Sequence, residues 1–329
     1  MKLHEDKKLF KQAVQKTAEG KGILDIYVEK DYWVTYALYT IFKNEIGKET
    51  IFKGGTALSK CFGLIERFSE DIDLVVRRDK SETDNQLKRK IKKVTKVVSD
   101  FLPEIQMSEV THKVGMSRKT AHKYSKEFTG DYGQIRDVII VEATWLGYFE
   151  PYTKKEVSSY IYEMMINTGQ QKLAQENNLL PFEVQVLEPR RTLCEKIMSL
   201  VRFSYTQNAV EDLKQKVRHT YDLYQLLGND ELSKFFESTE FDEMILKVAN
   251  DDVESFKNNN AWLQHHPNKA KIFTEIETVW EELKSVYSDE FKNLVFGDLP
   301  SENEIFDSLK IIKERLKSVD WTITIEDPK

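Results

Sequence analysis

Residues 52–76 read FKGGTALSKCFGLIERFSEDIDLVV, and the order of residue types along this stretch decides the fold. Thr50–Lys53 is expected to be a short strand that stops at Gly54-Gly55, where two glycines permit backbone angles and close approach that side chains would block. Thr56 is placed to cap a following helix, on which Leu58 and Phe62 stand at helical spacing. A strand, a glycine turn and a helix N-terminus make an anion site, because backbone N–H groups point outward and the helix dipole favours phosphate. Ser59 and Lys60 add a hydroxyl and a charge. The pattern is not a Walker A loop, since no Ser or Thr follows Lys60. Beyond the helix, Asp71 and Asp73 share one face of an expected strand, while Ile72, Leu74 and Val76 share the other. Neighbouring carboxylates repel unless a cation lies between them, and hard oxygen ligands of this kind suit Mg²⁺. Two such ions about 4 Å apart can activate an attacking hydroxyl and steady a leaving pyrophosphate. A D-x-D alone is commonly a solvated strand edge, and a Gly-Gly alone is commonly just a turn. Their combination on one strand–turn–helix–strand unit sets this stretch apart.

GGTALSK followed by ERFSEDIDL resembles the AbiEii/AbiGii family of bacterial nucleotidyltransferase toxins, whose core is DNA-polymerase-β-like. VEKDYWVT at 28–35 resembles a helix of the same family. RTLCEKI at 191–197 and Tyr221-Asp222-Leu223 resemble its third and fourth motifs. The likeness spans roughly residues 25–230, and the last hundred residues match no motif. Between Gly55 and Asp71 lie 15 residues, more than in the wider superfamily signature but in keeping with the toxins.

The resemblance implies a Mg²⁺-dependent transfer of a nucleoside monophosphate from an NTP. The RNA acceptor would be the tRNA 3′ end, and the chain would be the toxin of a toxin–antitoxin or phage-defence pair held in check by a cognate antitoxin. It implies Asp71 and Asp73 as catalytic metal ligands, and Gly54, Gly55, Thr56, Ser59 and Lys60 as the triphosphate cradle. It also implies Lys196 as a phosphate ligand and Asp222 as a catalytic or nucleotide-contacting residue. From the residues alone, Lys196 reads as a snorkelling helix lysine, and Asp222 as an acid bonded to neighbouring backbone or to Arg218. Two other readings stay open: modification of a protein acceptor, and a catalytically idle nucleotide-binding module.

At 329 residues, 40% apolar and 32% charged, the chain suits one large or two ordinary domains with a substantial core. We expect an α+β fold. A nucleotidyltransferase lobe with a small mixed sheet would span 1–188, and a mainly helical lobe from 189 would contribute to the active-site cleft. No apolar run of membrane length occurs, and MKLHEDKKLFKQ lacks an apolar signal core, so a cytoplasmic protein is expected. Cys61 and Cys194 suit reduced core thiols, and six scattered histidines without C-x-x-C disfavour structural zinc. The net charge of −6 argues against non-specific wrapping of nucleic acid, although segregated charge would still allow RNA.

Along the chain, residues 5–18 and 25–43 are expected to be helices, the second with a core aromatic stripe and with Lys30 and Asp31 either as a surface pair, the favoured reading, or facing the active site. Residues 82–102 form a basic helix with Lys88, Arg89, Lys90, Lys92, Lys93 and Lys96, either a solvated face or a landing surface for RNA phosphates. Ile105–Val114 is expected to be a strand, and the basic stretch from Gly115 to Gly133, with Arg118, Lys119, His122, Lys123 and Lys126, a loop or hairpin over the site, which either touches RNA or triphosphate or is a mobile connection. Asp137–Leu146 is a buried central strand, and Glu142 within it is either a third metal carboxylate or a structural acid paired with Arg or Lys. Residues 156–180 are ambiguous. Phe182–Leu187 alternates as a strand, and Pro189 opens a helix. Lys214–Leu227 is helical and 231–317 is helical throughout apart from a loop at Asn258–Asn260, Trp262, Trp280 and Trp321 are core, and His265-His266-Pro267 is a surface turn.

Overall fold

The computed structural model describes residues 1–113, 115–132, 135–257 and 259–325, so Val114, Gly133 and Asn258 of the segments named above lie outside the described residues. The chain divides into two compact units. The first comprises Met1–Gly63, Arg67–Trp145 and Tyr152–Leu187. The second comprises Leu64–Glu66, Leu146–Pro151 and the chain from Glu188 on.

In the first unit, helix α1 (Lys7–Lys21) starts where the Asp6 carboxylate accepts the Leu9 N–H, and it ends on Gly22 at φ 66°. Helix α2 (Asp25–Phe42) follows, then strand β1 (Thr50–Lys53), helix α3 (Gly54–Phe62), strand β2 (Ile72–Val76) and helix α4 (Asp84–Ser99). Strands β3 (Glu104–Ile105), β4 (Ser117–His122), β5 (Ile139–Thr144) and β6 (Tyr152–Val157) come next. Helices α5 (Tyr160–Asn167) and α6 (Gln171–Glu176) and strand β7 (Phe182–Leu187) complete it. The strands form one mixed sheet in the order β3-β4-β5-β2-β1-β7-β6. β2 runs antiparallel to β1 and parallel to β5, which places it at the centre.

Alternation decides which face each strand residue takes. Phe52, Ile72, Leu74, Val76, Ile139, Val141 and Ala143 join one buried cluster with residues of α1, α2, α4 and α5, so these helices cover a single face. Asp73, Glu142 and Lys119 therefore occupy the other. The aromatic stripe of α2 is core, as its spacing predicts: Tyr27, Tyr32 and Trp33 are buried. α4 packs Leu87, Ile91, Val94 and Val98 into the same cluster and leaves Lys88, Arg89, Lys92, Lys93 and Lys96 exposed. Its basic stripe thus lies over the sheet face opposite Asp73. Lys90 alone of the six turns inward, to Glu49 and Glu82 at 2.6 Å each.

Three expectations are corrected. The segment after Pro103 gives only a two-residue β3 before turning. The basic stretch from Gly115 begins not as a loop but with the interior strand β4, whose Arg118, Thr120 and His122 point one way and Lys119 and Ala121 the other, and it runs on as a loop only from Lys123. His122 and Thr120 are buried because His122 Nδ1 bonds the Leu102 carbonyl at 3.0 Å and Thr120 Oγ1 lies 2.8 Å from His122 Nε2. Lys30 and Asp31 are not a surface pair. Glu29, Lys30 and Asp31 are all buried and each meets a different segment. Glu29 accepts the backbone N–H groups of Glu127 and Phe128 at 2.7 and 3.2 Å. Lys30 pairs with Glu70 and donates to the Arg136 carbonyl, while Glu70 accepts the Arg136 N–H at 3.1 Å. Asp31 pairs with Lys60 at 2.5 Å and accepts the Tyr160 N–H at 2.8 Å. Buried charges persist only with such partners, so these three sites tie α2 to the β4–β5 connection, the entry to β2, α3 and α5.

The second unit is helical. Helix α7 (Pro189–Phe203) begins with proline in its first turn, helix α8 (Ala209–Lys214) follows, and helix α9 (Val217–Leu227) is the helix expected over 214–227. Helices α10 (Asp230–Glu237), α11 (Thr239–Ser255), α12 (Lys271–Thr274), α13 (Ile276–Ser285) and α14 (Glu302–Leu316) follow. α14 buries Ile305, Leu309, Ile312 and Leu316 behind a Ser301–Glu304 capping box. Trp262 and Trp280 are buried, whereas Trp321 is half-buried with its Nε1 donating to the Leu263 carbonyl at 2.9 Å. Both cysteines are free thiols. Among the described residues, no helix is long and apolar enough to cross a membrane.

Burial lifts the Glu29 carboxyl from 4.5 to about 7, so the folded chain keeps a proton that the unfolded chain releases. The stability this supplies is complete below the lower value and is lost as pH rises through the upper one. In Glu29→Gln that dependence disappears. Urea denaturation across this pH window should show the stability difference between wild type and variant shrinking as pH rises, then levelling off. A difference that ignores pH would refute the assignment.

Candidate active site

The site is built from the β1–α3 turn and the centre of the sheet. β1 ends at Lys53, and Gly54 turns at φ 80°, a left-handed conformation that glycine adopts without strain. A Cβ on Gly54 would overlap the Asp73 carboxylate, so this glycine is what lets the turn and the acid pack together. On Gly55 a Cβ would stand 2.8 Å from Arg67 Nη2 and 3.0 Å from Ser69 Oγ. α3 starts at Gly54, three residues earlier than a Thr56 cap implies. No side chain caps it, and a buried arginine lies beside its first turn. Thr56 does a different job: its hydroxyl donates to the Asp71 carbonyl at 2.6 Å and lies 3.0 Å from Ser69 Oγ, which fixes the entry to β2.

The acids stand close together. Asp73 is register-paired with Lys53 on one side and Glu142 on the other. Burial, then Glu142, then Asp71 push the Asp73 carboxyl up to about 7, against the opposing pull of Lys119 and Lys53. Oδ1 of Asp71 is buried and accepts no hydrogen bond from the protein. A buried carboxylate oxygen without a donor is costly, and a cation would relieve it. The fit to a hard divalent ion is thus through Asp71 and Asp73, and Mg²⁺ commonly uses one or two carboxylates with substrate phosphates completing the shell. Glu142 is held by Lys119 at 3.1 Å, with Ser117 Oγ 3.4 Å away. Among the described residues, no three His, Cys, Asp or Glu side chains are arranged to hold a metal ion.

Ser59 and Lys60 lie beyond the first turn of α3 and are committed elsewhere. Ser59 bonds the Tyr160 hydroxyl, and Lys60 is held by Asp31 and donates to the Ser158 carbonyl at 3.0 Å. Of the five residues expected to form the cradle, Gly54 and Gly55 stand against the site, Thr56 supports it from behind, and Ser59 and Lys60 bind α3 to α2 and α5. Sequence reasoning missed Arg67, Ser69 and Lys53, and it set Lys119 in a loop over the site rather than on a strand beside Glu142. Arg67 and Ser69 alternate with Asp71 and Asp73 along the chain, a period-two signal that begins before the strand does.

In the second unit, Lys196 of α7 and Asp222 of α9 are buried and 2.6 Å apart. Asp222 thus bonds a lysine 26 positions away, rather than only local backbone or Arg218. Close by on α7, Arg191 is buried and bonds Glu195 at 3.0 Å and Asp251 at 2.6 Å.

The family described as nucleotidyl transferase AbiEii toxin, type IV TA system, matches residues 36–322. The match starts just past the VEKDYWVT stretch and takes in nearly all of the last hundred residues, in which no motif is recognisable by eye. Among solved structures, the chain is similar to MenT4, a nucleotidyltransferase toxin from Mycobacterium tuberculosis. Identity is 15% over 92% of this chain and 98% of that one, with a TM-score of 0.47. It is also similar to JHP933 from Helicobacter pylori, at 14% identity over 88% of this chain and 92% of that one, with a TM-score of 0.41. No curated protein matches the chain.

Gly54→Ala should cost more than about 1 kcal/mol in chemical denaturation, because the left-handed angle and the Asp73 carboxylate both oppose a Cβ. A neutral result would contradict the packing described. Lys196→Met removes the ammonium from beside buried Asp222 and should cost about 3 kcal/mol, most of which Asp222→Leu added to it restores. Strictly additive losses in the double variant would contradict the pairing.

Proposed function

We propose that this chain, which belongs to the AbiEii nucleotidyl transferase toxin family of type IV toxin–antitoxin systems, transfers a nucleoside monophosphate from an NTP to RNA, at the 3′ end of tRNA. It is a nucleotidyltransferase and a toxin, and its family gives it an antitoxin partner. The RNA acceptor, the dependence on Mg²⁺, a cytoplasmic setting and a part in phage defence belong to the proposal.

The observation that carries this reading is the unsatisfied, buried Oδ1 of Asp71 on the strand where Asp73 packs against the Gly54 turn. Asp71 and Asp73 hold the ion. When bound, Mg²⁺ supplies a Lewis acid that favours the attacking acceptor oxygen and the departing pyrophosphate. The uncapped N–H groups of Gly54 and Gly55 donate to the triphosphate, and Arg67 adds a fixed guanidinium beside them. In the second unit, Lys196 is read as a point charge for phosphate, with Asp222, its partner at 2.6 Å, orienting it. Preorganised charge of this kind supplies most of the rate in phosphoryl-type transfers, and no covalent protein intermediate is needed.

Incubation of the protein with total RNA and total protein, each NTP labelled in turn at the α or γ phosphate, tests this. We expect α label on RNA, none from γ, and none with a chelator present. Asp71→Ala should lower incorporation on the order of a hundredfold or more while leaving the circular dichroism spectrum unchanged. Label on protein would replace the RNA acceptor. Retained γ label would replace nucleotidyl transfer by phosphorylation, and equal incorporation by Asp71→Ala would remove the assigned role.

A further inference from the structure

Four charged side chains form one row across the sheet. Lys119 of β4 is paired in register with Glu142 of β5, Glu142 with Asp73 of β2, and Asp73 with Lys53 of β1. Directly opposed residues on neighbouring strands share a face, with Cβ atoms about 4.5–5.5 Å apart. The row therefore runs plus, minus, minus, plus, and Asp71 lies two residues before Asp73 on the same strand. Lys119 Nζ reaches Glu142 Oε2 at 3.1 Å, and its field extends to both Asp71 and Asp73. Lys119 and Glu142 retain about a third of their side-chain exposure, at 27% and 35%, so ions from solvent can reach them. A second metal would need Glu142, because two-metal sites draw on carboxylates for both ions. Here that carboxylate already holds an ammonium.

We propose that Lys119 is an internal cation standing in the place of a second metal ion, so that this face takes one divalent ion, on Asp71 and Asp73, and not two. The inference rests on the metal-dependent reading above. An ammonium on the neighbouring strand is a compact point charge with three donors. It neutralises Glu142 and repels any further cation, while the acids at 71 and 73 stay available. The lysine thereby sets both the number and the tightness of bound ions. It also keeps Glu142 out of the ligand set until something else engages Lys119.

Mn²⁺ is the probe, counted by the loss of its free electron-spin-resonance signal on titration into the nucleotide-free full chain. Wild type should bind one ion. Lys119→Met keeps the aliphatic stem and frees Glu142, so it should bind a second ion or bind the first at least tenfold more tightly. Lys119→Arg keeps the charge and should match wild type, and Glu142→Gln added to Lys119→Met should return the count to one. If Lys119→Met fails to fold, as judged by circular dichroism, Lys119→Gln takes its place and the wild-type count still decides. Two ions on wild type, or a charge-removing variant with unchanged count and affinity, would overturn the inference alone. No ion on any of the proteins would remove the metal-dependent reading and this inference with it.

Discussion

The mutual repulsion of acids on the central strands is the constraint that the first unit is built around. Asp73 faces Glu142 across a parallel pair and has Asp71 two residues before it, and its own burial adds to the cost of its charge. A sheet tolerates this only if positive charge and hydrogen-bond donors are delivered to the same place. Lys53 and Lys119 arrive through strand register, and the first turn of α3 arrives through Gly54. The helices on the opposite face supply the apolar burial that holds the strands in that register. A site whose acids are partly unsatisfied is therefore carried by a well-packed layer behind it, the usual division between a destabilised functional surface and its scaffold.

Much of this was legible in the residues. β1, β2, β7 and α7 fall where glycine, proline and period-two alternation place them, and both the acids and the glycines meet as their spacing requires. β4 was not legible, because Ser117–His122 contains polar side chains on both faces. His122 and Thr120 are buried only because they find partners in three dimensions, and on the other face the half-buried Lys119 is drawn to Glu142. Local composition cannot distinguish such a strand from a solvated loop. Ser59 and Lys60 misled for a related reason. Proximity in sequence to a phosphate-type turn suggests phosphate contact, but the acid that claims Lys60 lies 29 residues upstream on another helix. Asp222 and Lys196 show the converse. Each is unremarkable alone, and their pairing at 2.6 Å appears only once α7 and α9 are packed.

Charge segregation is also clearer in three dimensions. α4 carries its exposed lysines and arginine over the sheet face that faces away from Asp73, and its apolar stripe is what the sheet requires of it. A basic helix that follows an acidic strand in the chain need not stand beside it, since a strand-to-helix connection crosses from one layer to another. The net negative charge thus coexists with a cationic helix and with lysines drawn into the acid row.

The consecutive charges on α2 have a consequence for how the helix is indexed. Each residue advances about 100° around the axis, so Glu29, Lys30 and Asp31 look in three directions, toward three separate segments. An aromatic stripe by itself would accept several rotations and slides of α2 over the sheet, because rings of similar size can trade places. The three polar appointments agree at one rotation and one height only. A one-residue deletion within that triplet would turn every later side chain by the same angle and strand buried charge at once. α2 therefore behaves as a key cut for a single position, and the apolar layer supplies its grip while the charges supply its address.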